Sequence, residues 1–401
     1  MRECMNIKIK INDNYDHVKD SYLFSEIARR VSKYSEENPD KKDSIIRLGI
    51  GDCTLPLTKT VIEAMHKAVD EMSVKETFRG YPPEYGYDFL RDAISKYYQS
   101  FGVAVNADEI FVSDGAKSDC GNIVDILGDN TILIPDPVYP VYMDSNVMSG
   151  RRIEFISANK ENNFLPMPDH LQVQPYIIYL CSPNNPTGAT YTTEQLEQWV
   201  AFAKKSGSLI IFDSAYESFI NGDYPHSVYA VEGARECAVE ICSFSKMAGF
   251  TGTRCSWTVF PAELKAGEKS LQKMWARRQA TKFNGVPYVI QRAAEAAISE
   301  EGFKEALANI EYYMGNAKLI SELLTEKCIW FSGGICSPYI WLKCPNNMKS
   351  WDFFDLLLEN IQVVGTPGSG FGSEGEGYFR LTSFGSRENT LEAIERLRKL
   401  L

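Results

Sequence analysis

One lysine stands beside two serines in a pattern that could do covalent chemistry. Ser243, Ser245 and Lys246 come at the end of an apolar stretch, residues 238–244, that predicts a β-strand. A lysine just past a buried strand is partly desolvated, which lowers its pKa and makes the amine nucleophilic. The two hydroxyls and Arg254, eight residues further on, could bind phosphate oxygens. Taken alone, Lys246 could equally be a solvated surface residue, as most lysines are.

A carboxylate and an amide follow two other predicted strands. Asp213 ends the apolar run of residues 209–213, where an unpaired charge at the edge of a buried sheet is costly. A protonated pyridine nitrogen could pair with it, and Tyr216 follows three residues later; alternatively, the carboxylate only caps the next turn. Asn185 lies in a loop that two prolines and a glycine restrain. Its amide could donate a hydrogen bond to a phenolate oxygen, although such a loop can also be a turn without chemistry.

The segment that follows the first of these strands could bind an anion. Residues 109–113 predict the strand, and Gly115 allows a tight turn after it. If a helix starts there, the backbone N–H groups of Ala116 and Lys117 point towards an anion. Capped helix starts without any ligand are also common, so this segment is informative only in combination with the others.

Strands that alternate with helices are expected to bring these polar positions together. The predicted strands are residues 109–113, 131–135, 176–181, 209–213, 238–244 and 254–260, and the predicted helices between them include residues 120–127 and 193–206. This alternation favours a parallel sheet covered by helices. Ligands of such sheets bind at the carboxyl ends of the strands, which is where the polar residues lie.

The chain is long enough for more than one domain, because 401 residues exceed the size at which one hydrophobic core usually stops growing. We predict an N-terminal arm and part of the small domain in residues 1–50, a large domain in 51–290 and a small domain in 291–401. A helical pattern over about residues 287–325 predicts one long linking helix. Strand, helix, strand and helix are then predicted at residues 338–343, 351–359, 378–382 and 390–400.

The charge and the cysteine content argue against several classes of protein. The formal net charge is −11, which disfavours non-specific binding to nucleic acid or to an anionic membrane. Ten cysteines without any Cys-x-x-Cys pair, and only four histidines, predict free thiols rather than a metal site. The N-terminus lacks an apolar signal core, and no apolar run is long enough to span a membrane. We therefore expect a cytoplasmic enzyme without a metal, a nucleic-acid partner or a membrane partner.

The combination of these elements is more specific than any one of them. In chain order they are Asn185-Pro186-Thr187-Gly188, Asp213-x-x-Tyr216, and Ser243-x-Ser245-Lys246 with Arg254. This set resembles the class I and II aminotransferases of fold type I, which depend on pyridoxal 5'-phosphate (PLP). The resemblance implies an α/β fold of the PLP-transferase type. In that fold, a mostly parallel seven-stranded sheet covered by helices forms the large PLP-binding domain, beside a smaller α/β domain.

The resemblance also implies roles for individual residues. Lys246 forms a Schiff base with PLP and moves a proton, and Asp213 and Tyr216 are the other catalytic residues. The implied cofactor-binding residues are Tyr81, Ala116, Lys117, Tyr139, Asn185, Asp213, Tyr216, Ser243, Ser245, Lys246, Arg254 and Asn284. The implied substrate-binding residues are Tyr22, Gly51, Glu84, Lys117, Tyr139, Asn185, Asn284 and Arg380. Tyr81 and Glu84 would come from the partner subunit of a homodimer whose active sites lie at the interface.

Shorter phrases are similar to members of this family that act on LL-2,6-diaminopimelate in lysine biosynthesis. They are Ser21-Tyr22-Leu23-Phe24, Gly49-Ile50-Gly51-Asp52, Arg79-Gly80-Tyr81, residues 113–117, Ala215-Tyr216, Phe283-Asn284-Gly285 and Tyr378-Phe379-Arg380. The resemblance therefore implies ping-pong transfer of an amino group between this substrate and 2-oxoglutarate. Three alternatives stay open: an aminotransferase for lysine or an aromatic amino acid, a PLP-dependent β-lyase, and a catalytically silent binding protein with the same fold.

Four places depart from the pattern of those members. They are Leu55, Pro82-Pro83, residues 283–287 and Cys336-Ser337. We expect these residues to line the substrate pocket and to influence which amino acid binds. None of them belongs to the predicted PLP-binding set.

Overall fold

The structure is a computed structural model that describes residues 9–18, 22–49 and 51–401. The first eight residues of the predicted arm lie outside the described residues, as do Ser21 and Ile50 from the phrases quoted above. The helices are α1 (Leu23–Glu37), α2 (Lys59–Met72), α3 (Asp88–Gln99), α4 (Ala116–Asn122), α5 (Pro140–Met148), α6 (Thr193–Ser206), α7 (Phe244–Met247), α8 (Leu271–Lys282), α9 (Tyr288–Ala297), α10 (Glu300–Glu326), α11 (Ser350–Ile361) and α12 (Arg387–Leu400).

The strands are short, and most belong to one of two larger sheets. They are β1 (Ile46–Arg47), β2 (Ile110–Ser113), β3 (Ile132–Asp136), β4 (Ile153–Ser157), β5 (Ile177–Cys181), β6 (Leu209–Asp213), β7 (Ala238–Ser243), β8 (Ser256–Val259), β9 (Lys265–Ala266), β10 (Lys269–Ser270), β11 (Phe331–Gly333), β12 (Tyr339–Lys343), β13 (Val363–Val364), β14 (Thr366–Pro367) and β15 (Tyr378–Thr382). The predicted strands of the central region are all present, with ends that differ by one or two residues.

The larger sheet has seven strands in the order β2-β8-β7-β6-β5-β3-β4. Only β8 runs antiparallel to its neighbours, and the remaining pairs are parallel. Every residue of β2, β3, β5, β6 and β7 is buried, as expected for a parallel sheet with both faces covered. The prediction of a mostly parallel seven-stranded sheet is confirmed. The return strand β8 follows α7 and a turn, and it pairs with β7 in the antiparallel direction.

The second sheet is antiparallel and has the strand order β11-β12-β15-β14. Helices α10 and α11 pack beside it, and α12 packs against these two helices. Strand β1 pairs in parallel with β13, so the segment that follows α1 joins the C-terminal part of the chain. This pairing agrees with the predicted contribution of residues 1–50 to a small domain, while the domain boundaries themselves stay a prediction.

The prediction of one linking helix over residues 287–325 is wrong, because the structure has two helices there. Helix α9 ends at Ala297, and Ser299 caps α10 by accepting a hydrogen bond from the N–H of Gly302 at 3.2 Å. The apolar spacing continues across the break, so it does not reveal a local change of direction. No helix in the described part of the chain has both the length and the apolarity needed to cross a membrane.

Gly302 lets the two helices approach closely. A Cβ atom at this position would lie 1.9 Å from the carbonyl oxygen of Ala296 and 2.8 Å from its carbonyl carbon. The contact is with backbone, so no side-chain rotation can relieve it.

We expect Gly302→Ala to lower the free energy of unfolding by about 1–3 kcal/mol, because the steric cost outweighs the better helix propensity of alanine. Urea denaturation measures this change. Gly128→Ala is the matched control, since a Cβ atom there meets no described atom within 4 Å, and its effect should stay within about 0.5 kcal/mol. An equal loss in both variants would contradict the steric explanation.

Candidate active site

A cavity of about 510 Å³ lies where the carboxyl ends of the large sheet face β15 of the second sheet. Among the predicted site residues, those that line it are Gly51, Ala116, Lys117, Tyr139, Asn185, Asp213, Tyr216, Ser243, Ser245, Lys246, Arg254 and Arg380. Most of them lie at or just after the carboxyl ends of β1, β2, β3, β5, β6 and β7, while Arg254 precedes β8 and Arg380 belongs to β15. The structure therefore brings together residues that lie as far as 329 positions apart in the chain.

Lys246 reaches the cavity from the short helix α7, which starts directly after β7. The hydroxyl of Ser243 caps this helix by accepting a hydrogen bond from the N–H of Ser245 at 3.0 Å. The Lys246 ammonium donates a hydrogen bond to the carbonyl of Gly51 and lies 5.4 Å from the ring centroid of Phe384. Burial lowers the pKa of Lys246 below its ordinary value, because the surrounding protein solvates the charged form poorly. A lowered pKa makes the neutral, nucleophilic amine easier to reach near neutral pH.

Asp213 lies at the end of β6 and is buried. Its Oδ2 atom accepts a hydrogen bond from Tyr142 at 2.5 Å, and its Oδ1 atom accepts one from the N–H of Ala215 at 2.9 Å. Burial raises the pKa of Asp213, and these two hydrogen bonds oppose the rise because they favour the carboxylate. No lysine, arginine or histidine in the described residues forms an ion pair with it. The carboxylate could therefore pair with a cation, which the described residues do not supply.

Tyr142 was not predicted from the sequence. It lies on α5, three positions after Tyr139, and both side chains line the cavity. Residues three apart share a face of a helix, so this spacing is the one signal that could have identified it. Its hydroxyl orients Asp213 by donating a hydrogen bond to it.

Arg380 on β15 is the most deeply buried charge of the site, with 1% of its surface exposed. Its guanidinium donates to Asn185 Oδ1 at 2.7 Å and to the carbonyl of Gly49 at 3.0 Å, while its Nε atom has no partner among the described residues. No acidic side chain of the described chain pairs with it. Burial lowers the pKa of Arg380, and the guanidinium nevertheless keeps its charge because an arginine pKa is so high. A carboxylate is the group that this arrangement lacks.

Tyr339 is a second residue that sequence reasoning did not find. Its hydroxyl lies 2.5 Å from the hydroxyl of Tyr216, and its ring lies 4.5 Å from the guanidinium carbon of Arg380. A Cβ atom on Gly51 would come within 2.9 Å of the Tyr339 hydroxyl, so this loop approaches the ring only because position 51 is a glycine. A polar aromatic residue at the start of a strand was the available signal, but many such residues are structural.

Arg254 and the turn before α4 form the other end of the cavity. A Cβ atom on Gly115 would lie 1.9 Å from Arg254 Nη2, so the guanidinium rests directly on the glycine backbone. Arg254 Nη1 donates to Ser245 Oγ at 3.3 Å and to the carbonyl of Thr251 at 3.2 Å. The guanidinium, the serine hydroxyl and the start of α4 at Ala116 therefore surround one polar corner of the cavity.

Four predicted site residues do not line this cavity in the single chain. Tyr81 is 88% exposed, Asn284 is exposed and Glu84 is half-buried outside the cavity. The loops that carry them touch, since a Cβ atom on Gly285 would lie 2.7 Å from the carbonyl oxygen of Pro83. Tyr22 lies at the rim, where the Lys117 ammonium is 4.8 Å from its ring centroid.

The sequence profile of the family described as aminotransferase class I and II matches residues 43–397. The chain belongs to this family. It is 55% identical to an LL-diaminopimelate aminotransferase of Lachnospira eligens and 54% identical to one of Agathobacter rectalis, and each alignment covers 98% of this chain and 100% of the relative. It also superposes on the solved L,L-diaminopimelate aminotransferase from Chlamydomonas reinhardtii with a TM-score of 0.92 at 42% identity, over 98% of this chain and 99% of that chain. The predicted family and fold class are confirmed, and the aminotransferase is an enzyme that acts on amino acids and 2-oxo acids.

The positions at which this aminotransferase departs from the expected pattern do not line the cavity of the single chain. Leu55 packs beside the cluster around Tyr216, and Tyr313 accepts a hydrogen bond from its N–H at 2.7 Å. Cys336 forms two hydrogen bonds with the backbone of Asn221, and the Ser337 hydroxyl accepts one from the N–H of Tyr339 at 3.2 Å. These residues therefore act one layer behind the cavity, where they hold the segments that form its wall.

A buried ammonium should cost this aminotransferase stability when no ligand is bound. We expect Lys246→Met to raise the free energy of unfolding of the ligand-free protein at pH 7 by on the order of 1 kcal/mol, because methionine keeps the volume and removes the charge. The sign follows from the lowered pKa: the penalty is fully present below the folded pKa and disappears above the ordinary value of 10.5.

Urea denaturation at pH 7 and at pH 10.5 measures this difference. The gain at pH 7 should shrink at pH 10.5, because Lys246 of the folded chain, with its lowered pKa, has then lost more of its proton than the half that the unfolded chain has lost. Lys265→Met is the control, since this lysine is exposed and its replacement should change stability by less than about 0.5 kcal/mol. A gain for Lys246→Met that is independent of pH would contradict the charge explanation.

Proposed function

We propose that the protein is a PLP-dependent aminotransferase that moves the amino group between LL-2,6-diaminopimelate and 2-oxoglutarate. The observation that carries this proposal is the fully buried Arg380, which has no acidic partner in the described residues and faces the same cavity as Lys246. Every amino acid and 2-oxo acid brings the carboxylate that Arg380 lacks. Identity to LL-diaminopimelate aminotransferases over nearly the full length supports the choice of substrate.

The residues of the cavity fit PLP at both ends. Arg254, Ser245 and the start of α4 surround a corner suited to a phosphate, and the glycine at position 115 leaves the room that the Arg254 guanidinium occupies. At the other end, the buried carboxylate of Asp213 has no cationic partner among the described side chains and would hold a protonated pyridine nitrogen. Asn185 and Tyr216 line the same wall and would bind the phenolate oxygen, and Tyr139 would cover the ring face.

PLP, when bound, supplies an electron sink for the negative charge left at the substrate Cα. Lys246 is the group that moves the proton at that carbon, because its buried amine has a lowered pKa and reaches into the cavity. Tyr142 donates a hydrogen bond to Asp213, which favours the ionised carboxylate and opposes the rise of its pKa caused by burial. The same set serves both half-reactions, since the 2-oxo acid occupies the place that the amino acid leaves.

The substrate is oriented by its α-carboxylate. Arg380 already donates to Asn185 and to the Gly49 carbonyl, so its planar fork is fixed before the substrate arrives. The rings of Tyr339 and Phe371, at 4.5 and 4.9 Å from the guanidinium carbon, hold it from the sides. A carboxylate bound there places the Cα atom of the substrate towards Lys246.

The distal end of the substrate meets residues of opposite charge. Lys117 lines the cavity above the ring of Tyr22 and would pair with the distal carboxylate of glutamate or 2-oxoglutarate. Glu84 would pair with the distal ammonium of diaminopimelate. Because Glu84 does not reach the cavity of its own chain, this role requires that it enter the site of a second subunit.

A homodimer supplies that second subunit. Helix α2 and the loop after it expose a row of apolar side chains, with Val69 at 55%, Phe78 at 59% and Tyr81 at 88% exposure. Several large apolar side chains exposed on one short stretch of chain support an interface there. Tyr81 lies at the end of this row, on the loop that also carries Glu84 and that touches the loop of Asn284. If a second subunit covers the row, these three residues would lie near the cavity of that second subunit. The cytoplasmic location stays a prediction from the sequence.

A panel of amino donors with 2-oxoglutarate tests the substrate. We expect kcat/KM for LL-diaminopimelate to exceed the values for lysine and for aromatic amino acids by at least about tenfold, because only diaminopimelate offers a carboxylate and an ammonium at its distal end. Lys246→Ala should lose the amino-transfer activity. Arg380→Lys should mainly lower kcat/KM for amino transfer, because lysine keeps the positive charge but lacks the planar fork of the guanidinium.

Each contrary result points to a different conclusion. A protein without turnover of diaminopimelate, but with turnover of lysine or aromatic donors, would be an aminotransferase of another specificity. Release of pyruvate and ammonia from cystathionine without a 2-oxo acid would indicate a β-lyase. Full activity in Lys246→Ala would rule out the proposed chemistry altogether.

The dimer is tested by charging its apolar row. We expect the double variant Val69→Glu/Phe78→Glu to sediment as a monomer and to lose most of its activity, although neither residue lines the cavity. Phe155→Glu on the edge strand β4 is the control, since Phe155 is similarly exposed at 51% but lies outside the row. A monomeric wild-type protein with full activity would refute the shared site.

A further inference from the structure

A buried carboxyl group lies behind the polar corner of the cavity. Asp119 on α4 is 1% exposed and does not line the cavity. Its Oδ2 atom accepts hydrogen bonds from Ser113 at 2.5 Å and from Thr258 at 2.8 Å, and the Ser256 hydroxyl lies 3.5 Å away. Its Oδ1 atom has no hydrogen-bond partner in the described residues. A buried carboxyl group with one unpartnered oxygen is costly, so its presence calls for a reason.

Asp119 joins the three segments that form the polar corner. Ser113 ends β2, two residues before Gly115, and Ser256 begins β8, two residues after Arg254. The two serines are cross-strand partners, with their hydroxyls 2.7 Å apart. Asp119 itself lies three residues after Ala116, in the first turns of α4. One side chain therefore ties the glycine turn, the start of α4 and the strand that follows Arg254.

The hydrogen bonds of Asp119 hold segments next to Arg254, whose guanidinium would move with any shift of these segments. The Arg254 guanidinium rests against Gly115, and Arg254 has a left-handed backbone conformation with φ of +61°. Such a conformation is unfavourable for a residue with a side chain and persists only where its surroundings hold it. Thr258 and Ser256 anchor the strand that leaves this residue.

We propose that Asp119 is a positioning residue for the phosphate group of PLP, which acts by holding Gly115 and Arg254 in register through Ser113, Ser256 and Thr258. This inference rests on the proposed function, because it takes the polar corner to be the phosphate site. Asp119 touches neither the cavity nor its ligand, so removing it should weaken the recognition of phosphate and leave the pyridine end intact.

The hydrogen bonds and the burial of Asp119 predict which substitutions keep the three segments joined. Burial raises the pKa of Asp119 to about 7, and the hydroxyls of Ser113 and Thr258 oppose the rise. The neutral form is therefore accessible near pH 7, and asparagine has nearly the same shape as that form. An asparagine carbonyl can accept both hydroxyl hydrogen bonds in place of Oδ2. Alanine can accept neither.

The chain contains a second buried carboxyl group that serves as a matched comparison. Glu240 in the middle of β7 is also fully buried, and burial raises its pKa to about 7 as well. It accepts hydrogen bonds from Tyr98, Ser214 and Ser227, each at 2.8 Å. These partners do not include any residue of the polar corner around Arg254.

The cofactor-free protein is titrated with PLP and with pyridoxal, which lacks the phosphate. The comparison isolates the contribution of the phosphate group to binding. The readout is the ratio of the two dissociation constants, followed by absorbance and by protein fluorescence. We expect Asp119→Ala to lower the preference for PLP over pyridoxal by about tenfold, which corresponds to about 1.4 kcal/mol. Asp119→Asn should restore the ratio to within about threefold of the wild type, since its hydrogen bonds persist.

Milder variants keep the test decisive if Asp119→Ala does not fold. Thr258→Val removes one hydroxyl from Asp119 at nearly constant volume and should lower the ratio by about threefold. Ser227→Ala removes one hydroxyl from Glu240 and also the cap of a short helical turn, so it should reduce stability without changing the ratio.

Two failures are distinguishable. A wild-type protein that binds PLP no more tightly than pyridoxal would overturn the proposed cofactor site itself. A wild-type protein that prefers PLP, together with Asp119→Ala and Thr258→Val variants that keep the full preference, would overturn only the role of Asp119. An equal fall of the ratio in Ser227→Ala and Thr258→Val would likewise overturn it, because the effect would then be general destabilisation.

Discussion

The hydrogen bond between Arg380 and Asn185 joins the two sheets of the protein at the cavity. Arg380 belongs to β15 of the second sheet, and Asn185 lies in the loop after β5 of the first. A guanidinium removed from water is unfavourable unless other dipoles replace its hydration. Here a side-chain amide, the Gly49 carbonyl and two aromatic rings do so, and no acidic side chain of the described residues does. The other elements around the cavity must therefore keep these uncharged polar and aromatic groups in contact with the Arg380 guanidinium.

The cavity concentrates charges that are incompletely matched within the described chain. Lys246 and Arg380 are cations with lowered pKa values, and Asp213 is an acid with a raised pKa; burial is the main cause in all three. Such an arrangement sacrifices stability, which is typical of sites shaped for a ligand rather than for folding. Under the proposed function, Arg380 would pair with a substrate carboxylate, Asp213 with a pyridine nitrogen, and the Lys246 amine would react with a carbonyl, so the ligands would compensate for the burial of these groups.

A second layer of residues holds the first in place. Tyr142 orients Asp213, and Tyr339 braces both Tyr216 and Arg380. Tyr313 on the long helix α10 accepts hydrogen bonds from the N–H groups of Thr54 and Leu55, which fixes the loop that begins at Gly51. In this layer, differences from related enzymes can alter specificity without any contact to the substrate, because they move the segments that make that contact.

Local patterns in the sequence determined those helices and strands whose ends and periodicity depend on neighbouring residues. Helix α6 has the predicted bounds because Thr192 and Gln195 form a capping box at its start and Gly207 ends it in a left-handed conformation. Apolar runs likewise located the strands, and polar residues at their carboxyl ends located the candidate site. The break at Ser299 escaped the pattern, because apolar periodicity is insensitive to a change of direction between two packed helices.

Other features depended on contacts between residues distant in the chain. The pairing of Tyr142 with Asp213, the place of Tyr339 beside Arg380 and the cluster around Asp119 arise only when separate strands meet. Tertiary structure also decided that Leu55 and Cys336 stand behind the cavity and that Tyr81, Glu84 and Asn284 lie outside it in a single chain. Sequence order identifies the chemistry of a residue, whereas the distances that allow the chemistry are set by packing across the whole fold.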